Sequence, residues 1–194
     1  LRYSRSYCLA PSNSISAVTS TTALLTVIQS TTVPLIEDFN SSLTMPTAWL
    51  NNPSYPFYVF SNHGTGGTNG MSRELYFGPD YAIAQTPNIG VITASTSLKF
   101  DYRIVDWSGY PSTATSTVDL ALDSLGIYIS TDCGTTFTLL GSIDASNHIP
   151  STSFTTKSYN LAAYAGSSAI IKFRAAYDGA SMGDYYVDID NVNV

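Results

Sequence analysis

Trp107 and Tyr110 stand beside Asp106 in a stretch that also holds Gly109 and Pro111. Aromatic side chains in such a loop can stack on a sugar ring or anchor a protein interface. The plainer alternative is a loop that folds back over its own aromatics. The two histidines, His63 and His148, sit in separate polar loops, Asn62-His-Gly and Asn147-His-Ile. A zinc site or a nucleophilic triad needs several convergent partners, and neither loop offers them, so both are expected to be loop histidines without a chemical role. Two carboxylates for glycoside hydrolysis could meet across a sandwich from any two positions, and no spacing singles out such a pair. Gly64-Thr-Gly-Gly67 lacks the Gly-Lys-Ser/Thr that completes a phosphate loop. No catalytic residues are assigned, and the chain is expected not to be an enzyme.

Cys8 and Cys133 are far apart, which excludes a CxxC metal or redox motif. They are either a disulfide that pins the N-terminal region to the Ser130–Gly134 turn or two unpaired thiols. Two short modification patterns are also present: Asn40-Ser-Ser42 matches the N-glycosylation sequon, and Asp123-Ser-Leu125 resembles an O-glycosylation acceptor.

The surrounding chain is polar but weakly charged. Only 11% of its 194 residues are charged, against roughly 25% in ordinary soluble domains. Lys and Arg number 8 against 14 Asp and Glu, a net charge of −6. That balance argues against nucleic acid, which requires a basic stripe. No apolar run is long enough to span a bilayer, so no membrane insertion is expected. Leu1–Arg5 is not followed by the apolar stretch of an export signal, so an exported chain would be the processed form.

These residues must be positioned mostly by strands. Ser97–Val105 alternates, with Leu98, Phe100, Tyr102 and Ile104 on one face. Leu35–Phe39, Leu75–Phe77, Tyr81–Gln85, Lys157–Leu161, Ala169–Tyr177 and Tyr185–Val194 also read as strands. Gly126–Ser130 and Thr135–Leu140 form a hairpin-like pair around Asp132-Cys-Gly134. Ser61–Gly70 and Ser108–Ser116 read as loops, and short helical turns fit Thr44–Leu50 or Ala162–Ala165. Many short strands between Gly, Pro, Asn and Asp imply an all-β jelly-roll sandwich.

Residues 1–34 differ from the rest. They contain no acidic residue and no glycine, and hold one apolar segment, Ala23-Leu24-Leu25-Thr26-Val27-Ile28. A strand apolar on both faces must be buried on both. The segment is expected to be an extended arm that packs on its own domain or adds as a strand to a neighbouring subunit. The division is therefore an arm over 1–34 and a jelly-roll domain over 35–194.

The order of short motifs adds a resemblance. Glu37-Asp-Phe-Asn40 and Met45-Pro-Thr-Ala-Trp49 come first, then Asp80-Tyr-Ala-Ile-Ala-Gln-Thr-Pro87 and Ser97-Leu-Lys-Phe-Asp-Tyr102. Ile129-Ser-Thr-Asp-Cys-Gly-Thr-Thr-Phe137, Tyr159-Asn-Leu161, Ile171-Lys-Phe-Arg174 and Asp188-Ile-Asp-Asn-Val192 follow. Residues 35–194 resemble the cleaved-adhesin, or choice-of-anchor J, jelly-roll domain of bacterial surface proteins, related in fold to MAM domains. The resemblance implies an extracellular adhesion or assembly module and no activity of its own. It also implies that the first and last strands are neighbours whose oxygens often hold a structural calcium ion. Glu37, Asn40, Asp188 and Asp190 would be its ligands, with 188 and 190 on one strand face and Asn191 opposite. Asn40 stands where the family often has an acid. Trp49 takes a position that packs the core.

The leading expectation is a structural or adhesive subunit at a bacterial surface that forms a filament by strand exchange through Ala23, Leu24, Leu25, Val27 and Ile28. Its partners would be other copies of itself, and a host protein or glycan. The alternative is a carbohydrate-binding module of a secreted enzyme, with Trp107 and Tyr110 in its site.

Overall fold

The computed structural model describes residues 30–31, 34–76, 80–111, 123–177 and 184–194. Two antiparallel sheets face each other, and no α-helix occurs among the described residues. The all-β jelly-roll sandwich expected from the strand and turn pattern is thus the observed fold. In chain order the strands are β1 (Ser30–Thr31), β2 (Ile36–Glu37), β3 (Leu50–Asn51), β4 (Tyr58–Phe60), β5 (Gly70–Leu75), β6 (Asp80–Gln85) and β7 (Asn88–Ile89). They continue with β8 (Ser97–Asp106), β9 (Ser124–Ser130), β10 (Thr138–Ile143), β11 (Thr155–Asn160), β12 (Ile170–Tyr177) and β13 (Tyr185–Asn193).

One sheet runs β10-β9-β12-β6-β3 and the other β11-β8-β13-β5-β4, with β2 pairing β13. Alternation supplies the core. Leu98, Phe100, Tyr102 and Ile104 of β8 and Tyr185, Val187 and Ile189 of β13 point inward. They meet Leu125, Ile127 and Ile129 of β9 and Ile171, Phe173 and Ala175 of β12. Trp49 is buried as expected, edge-on to Phe39 and stacked with Phe173 at ring distances of 5.4 and 6.4 Å. Leu35 and Val194 exchange both backbone hydrogen bonds, which extends the β2–β13 pairing by one residue.

Several boundaries depart from the sequence reading. The strand expected at Leu75–Phe77 lies at Gly70–Leu75, so the preceding loop is shorter than Ser61–Gly70. Tyr58–Phe60 is an edge strand that no alternating run announced. Thr44–Leu50 is irregular with a turn at 47–48, and the helical turn falls at Ala162–Tyr164 as a single 3₁₀ turn.

The apolar segment Ala23–Ile28 and Cys8 lie outside the described residues. Ser30–Thr31, at the end of the expected arm, pairs in parallel with Asn88–Ile89 of the same chain. Cys133 sits at φ 61° in the β9–β10 turn and is disulfide-bonded. Asp132 organises that turn by accepting from the hydroxyl and backbone N–H of Thr136 and from the Ser130 hydroxyl.

Candidate functional site

The outward face of the six-stranded sheet carries a buried polar network. Asp188 of β13 has no solvent exposure. Its Oδ2 accepts from Arg103 Nε at 2.9 Å, from Arg103 Nη2 at 2.6 Å and from the Tyr110 hydroxyl at 3.0 Å. Its Oδ1 accepts from the Ser72 hydroxyl at 2.7 Å. Arg103 of β8 is the direct cross-strand partner of Asp188, and Ser72 of β5 faces it from the other side. The register alone therefore brings the three together. A buried carboxylate is costly unless it is paired and hydrogen-bonded, and here each oxygen of Asp188 has partners.

His63 closes the network from above. Its Nδ1 lies 2.9 Å from Asp188 Oδ1 and 3.0 Å from Ser72 Oγ. A carboxylate only accepts, so the Nδ1 proton goes to Asp188. The ring stacks on Tyr110 at 4.4 Å and meets Tyr186 and Phe60 at 5.5 and 5.1 Å. Serine, histidine and aspartate are thus in contact, but they do not form a nucleophilic triad. A triad needs the acid on one ring nitrogen and the nucleophile on the other. Here both partners share Nδ1, and Ser72 is fully buried.

The loop that carries His63 is closed by glycines. A Cβ on Gly70 would stand 2.3 Å from the His63 carbonyl oxygen, and one on Gly64 would stand 2.2 Å from that of Asn69. Only glycine lets these two backbone segments touch. The glycine-rich segment grips a carboxylate of its own chain: the Thr65 N–H donates to Asp190 Oδ2 at 2.8 Å.

Each of the four residues expected to hold calcium has described contacts of its own. Glu37 and Asp190 are neighbours. Burial raises the carboxyl pKa of each above the ordinary value, and the Asp190 charge adds to the rise at Glu37. Both Asp190 oxygens accept backbone N–H groups, from Thr65 and Asn191. Asn40 Oδ1 accepts from the Asn69 N–H. Asp188 is ion-paired with Arg103. No group of three or more His, Cys, Asp or Glu side chains forms a metal cage among the described residues. Asn191 does not point away from 188 and 190 as strict alternation implies. It sits at φ 50° in a bulge, and its amide reaches Asp101 Oδ2 on the same side as Asp190, at 2.8 Å.

A groove of about 270 Å³ opens next to the network, lined by Tyr58, Phe60, Arg73, Glu74, Tyr76 and Tyr186. Three of its aromatics are substantially exposed: Tyr58 47%, Phe60 41% and Tyr76 52%. The Tyr186 hydroxyl donates to Glu74 Oε2 at 3.0 Å, and burial together with that carboxylate pushes the phenol up to about 12. Phe60 and Tyr186 touch the His63 ring, so the floor of the groove rests on the buried network.

Trp107 and Tyr110 take different roles. Tyr110 folds inward; its hydroxyl joins Arg103 and Asp188, and burial raises its pKa. Trp107 stays 50% exposed on a 3₁₀ turn at the end of β8 and is not part of the groove wall. Sequence reasoning missed His63, Arg103, Ser72 and the groove aromatics. An arginine inside the otherwise apolar run Tyr102–Val105 was the available signal, because it demands a buried acid. His148 is buried with both ring nitrogens unpartnered, 6.2 Å from the Tyr102 ring.

No protein family model matches the chain, and no characterised protein matches it in sequence. Solved structures similar to it include a cleaved adhesin domain of Lys-gingipain from Porphyromonas gingivalis, at 12% identity and a TM-score of 0.49, covering 82% of this chain and 96% of that one. A family 29 carbohydrate-binding module is 15% identical with a TM-score of 0.49, covering 83% of each chain. A carbohydrate-binding module specific for non-crystalline cellulose is 12% identical with a TM-score of 0.48, covering 82% of this chain and 98% of that one. At these identities the likeness extends no further than the arrangement of strands.

Proposed function

We propose that this chain is a non-enzymatic adhesive module of a secreted or surface protein, and that it binds carbohydrate in the groove of the six-stranded sheet. The observation that carries this reading is the set of exposed rings, Tyr58, Phe60 and Tyr76, around the Glu74–Tyr186 hydrogen bond. Aromatic faces take up the C–H surfaces of a sugar, while a few fixed polar groups orient its hydroxyls. Arg73 and Glu74 supply those polar groups. The groove is smaller than the roughly 300–1,000 Å³ of typical small-molecule pockets, which suits one sugar ring at a time. A disulfide at Cys133 suits an oxidising compartment.

Assembly into a filament is the second reading. Its support is the two-faced apolar segment Ala23–Ile28. The pairing of Ser30–Thr31 with Asn88–Ile89 of the same chain favours an arm that stays on its own domain.

A glycan array probed with the chain tests the first reading. Signal on a defined glycan should drop at least tenfold with Tyr76→Ala and stay unchanged with Trp107→Ala. A signal lost with Trp107→Ala alone would move the site to the turn after β8. No glycan signal, together with long fibres in electron micrographs, would favour the filament.

A further inference from the structure

The outward face of the five-stranded sheet holds two cations on an aromatic surface. Lys172 and Arg174 point to the same side of β12, about 6–7 Å apart along the strand. Lys172 lies opposite Tyr128 and Arg174 opposite Gly126. A Cβ on Gly126 would stand 2.7 Å from the Tyr128 ring. Glycine there lets that ring lie down along its strand as a platform. Lys172 Nζ sits 3.8 Å from the centre of the Phe137 ring and 4.6 Å from that of Tyr128. The Arg174 guanidinium sits 5.3 Å from the centre of Tyr81, which stacks on Tyr55 at 3.8 Å.

Neither cation is ion-paired with a described carboxylate, although the chain carries 14 acids. Cation–π contacts hold them in place but leave their charge unneutralised. Burial, with the nearby Arg174 adding a like charge, pushes the Lys172 ammonium below its ordinary value. A ligand that brings carboxylates relieves that repulsion, and arginine matches a carboxylate's two oxygens with two parallel donors.

We infer that this face binds a carboxylated polysaccharide, with Lys172 and Arg174, held on their aromatic rings, receiving its uronate groups. Nucleic acid fits less well. Its dense phosphates call for a long basic stripe, whereas Lys172 and Arg174 make a short one. The site is independent of the groove on the opposite sheet.

Affinity electrophoresis of the full chain tests the inference, with polygalacturonate in one gel and its fully methyl-esterified form in another. Mobilities are taken relative to a gel without polymer. The acidic polymer should retard the chain and the ester should not, with retardation fading as salt rises. Lys172→Gln combined with Arg174→Gln should raise the apparent Kd at least tenfold while the melting curve shows an intact fold. Arg174→Lys alone, which keeps the charge, should retain most of the retardation, and Trp107→Ala, outside both sites, should leave it unchanged. Equal retardation of the parent and double-variant chains, equal retardation by the ester, or stronger retardation by single-stranded DNA would each overturn the inference.

Discussion

On the outward face of the six-stranded sheet, Arg103 is buried against Asp188 and capped by Tyr110, His63 and a glycine-closed loop. On the outward face of the five-stranded sheet, Lys172 and Arg174 stand half-buried on aromatic rings, with no ion pair to a described carboxylate. Both faces place basic residues on a central strand of their sheet, yet one seals its charge in and the other leaves it available. A sealed charge contributes to structure, because any change in its partners leaves a desolvated ion behind. An open charge contributes to recognition, because its neutralisation waits for something from solution.

The comparison can be broken most forcefully at Asp188. Asp188→Ala strands the Arg103 guanidinium in a site made for a pair, and the expected loss is about 3–5 kcal/mol. Equilibrium denaturation in urea measures it. The matched test on the other face is Lys172→Met, expected to change stability by no more than about 0.5 kcal/mol, as for an ordinary surface substitution. Comparable losses at the two positions would erase the distinction. Pairing Asp188→Leu with Arg103→Met sharpens it further: the double variant should be more stable than Asp188→Ala, because no ion is then left unpaired.

A smaller effect comes from His148. Burial, with Lys157 adding, pushes its imidazolium below the ordinary 6.5. The unfolded chain therefore takes up a proton that the folded chain resists, and stability falls as pH drops below about 6.5. The melting temperature of the parent chain should decline through that range. His148→Phe should flatten the decline, and an identical slope in both proteins would remove His148 as its source. The smallest expected effect is at the exposed Asp132, whose carboxyl is held down to about 2 by Thr136 and Ser130. Asp132→Ala should lower the melting temperature slightly at neutral pH. The gap between the two proteins should shrink as pH falls from 3.8 toward about 2, as the aspartate's advantage is lost.

Much of the frame was legible in the sequence because its strands announce themselves by alternation. Ser97–Val105 was expected and Ser97–Asp106 observed; Ala169–Tyr177 was expected and Ile170–Tyr177 observed. The strand at Gly70–Leu75 was expected at Leu75–Phe77 because Ser72, Arg73 and Glu74 look like loop residues until their partners are known. Those of Ser72 and Glu74 lie 116 and 112 residues away, at Asp188 and Tyr186. The same distance hid the role of His63, whose loop composition suggested none. The register that joins Ser72, Arg103 and Asp188 is a property of three strands at once, and no single window contains it. Asn191 misled for a local reason, since a bulge resets the alternation on which facing arguments rest.

The reciprocal bonds between Leu35 and Val194 have a mechanical consequence. Force applied at these two residues would load the β2–β13 pairing from its open end, so its bonds would break in succession, like a zipper. Such a seam yields at low tension. Behind it, β13 is laced to both β5 and β8, so the same pull would meet two rows of bonds on the two edges of that strand. Tension would thus release Glu37 from beside Asp190 early, while the buried Asp188 junction stays shut.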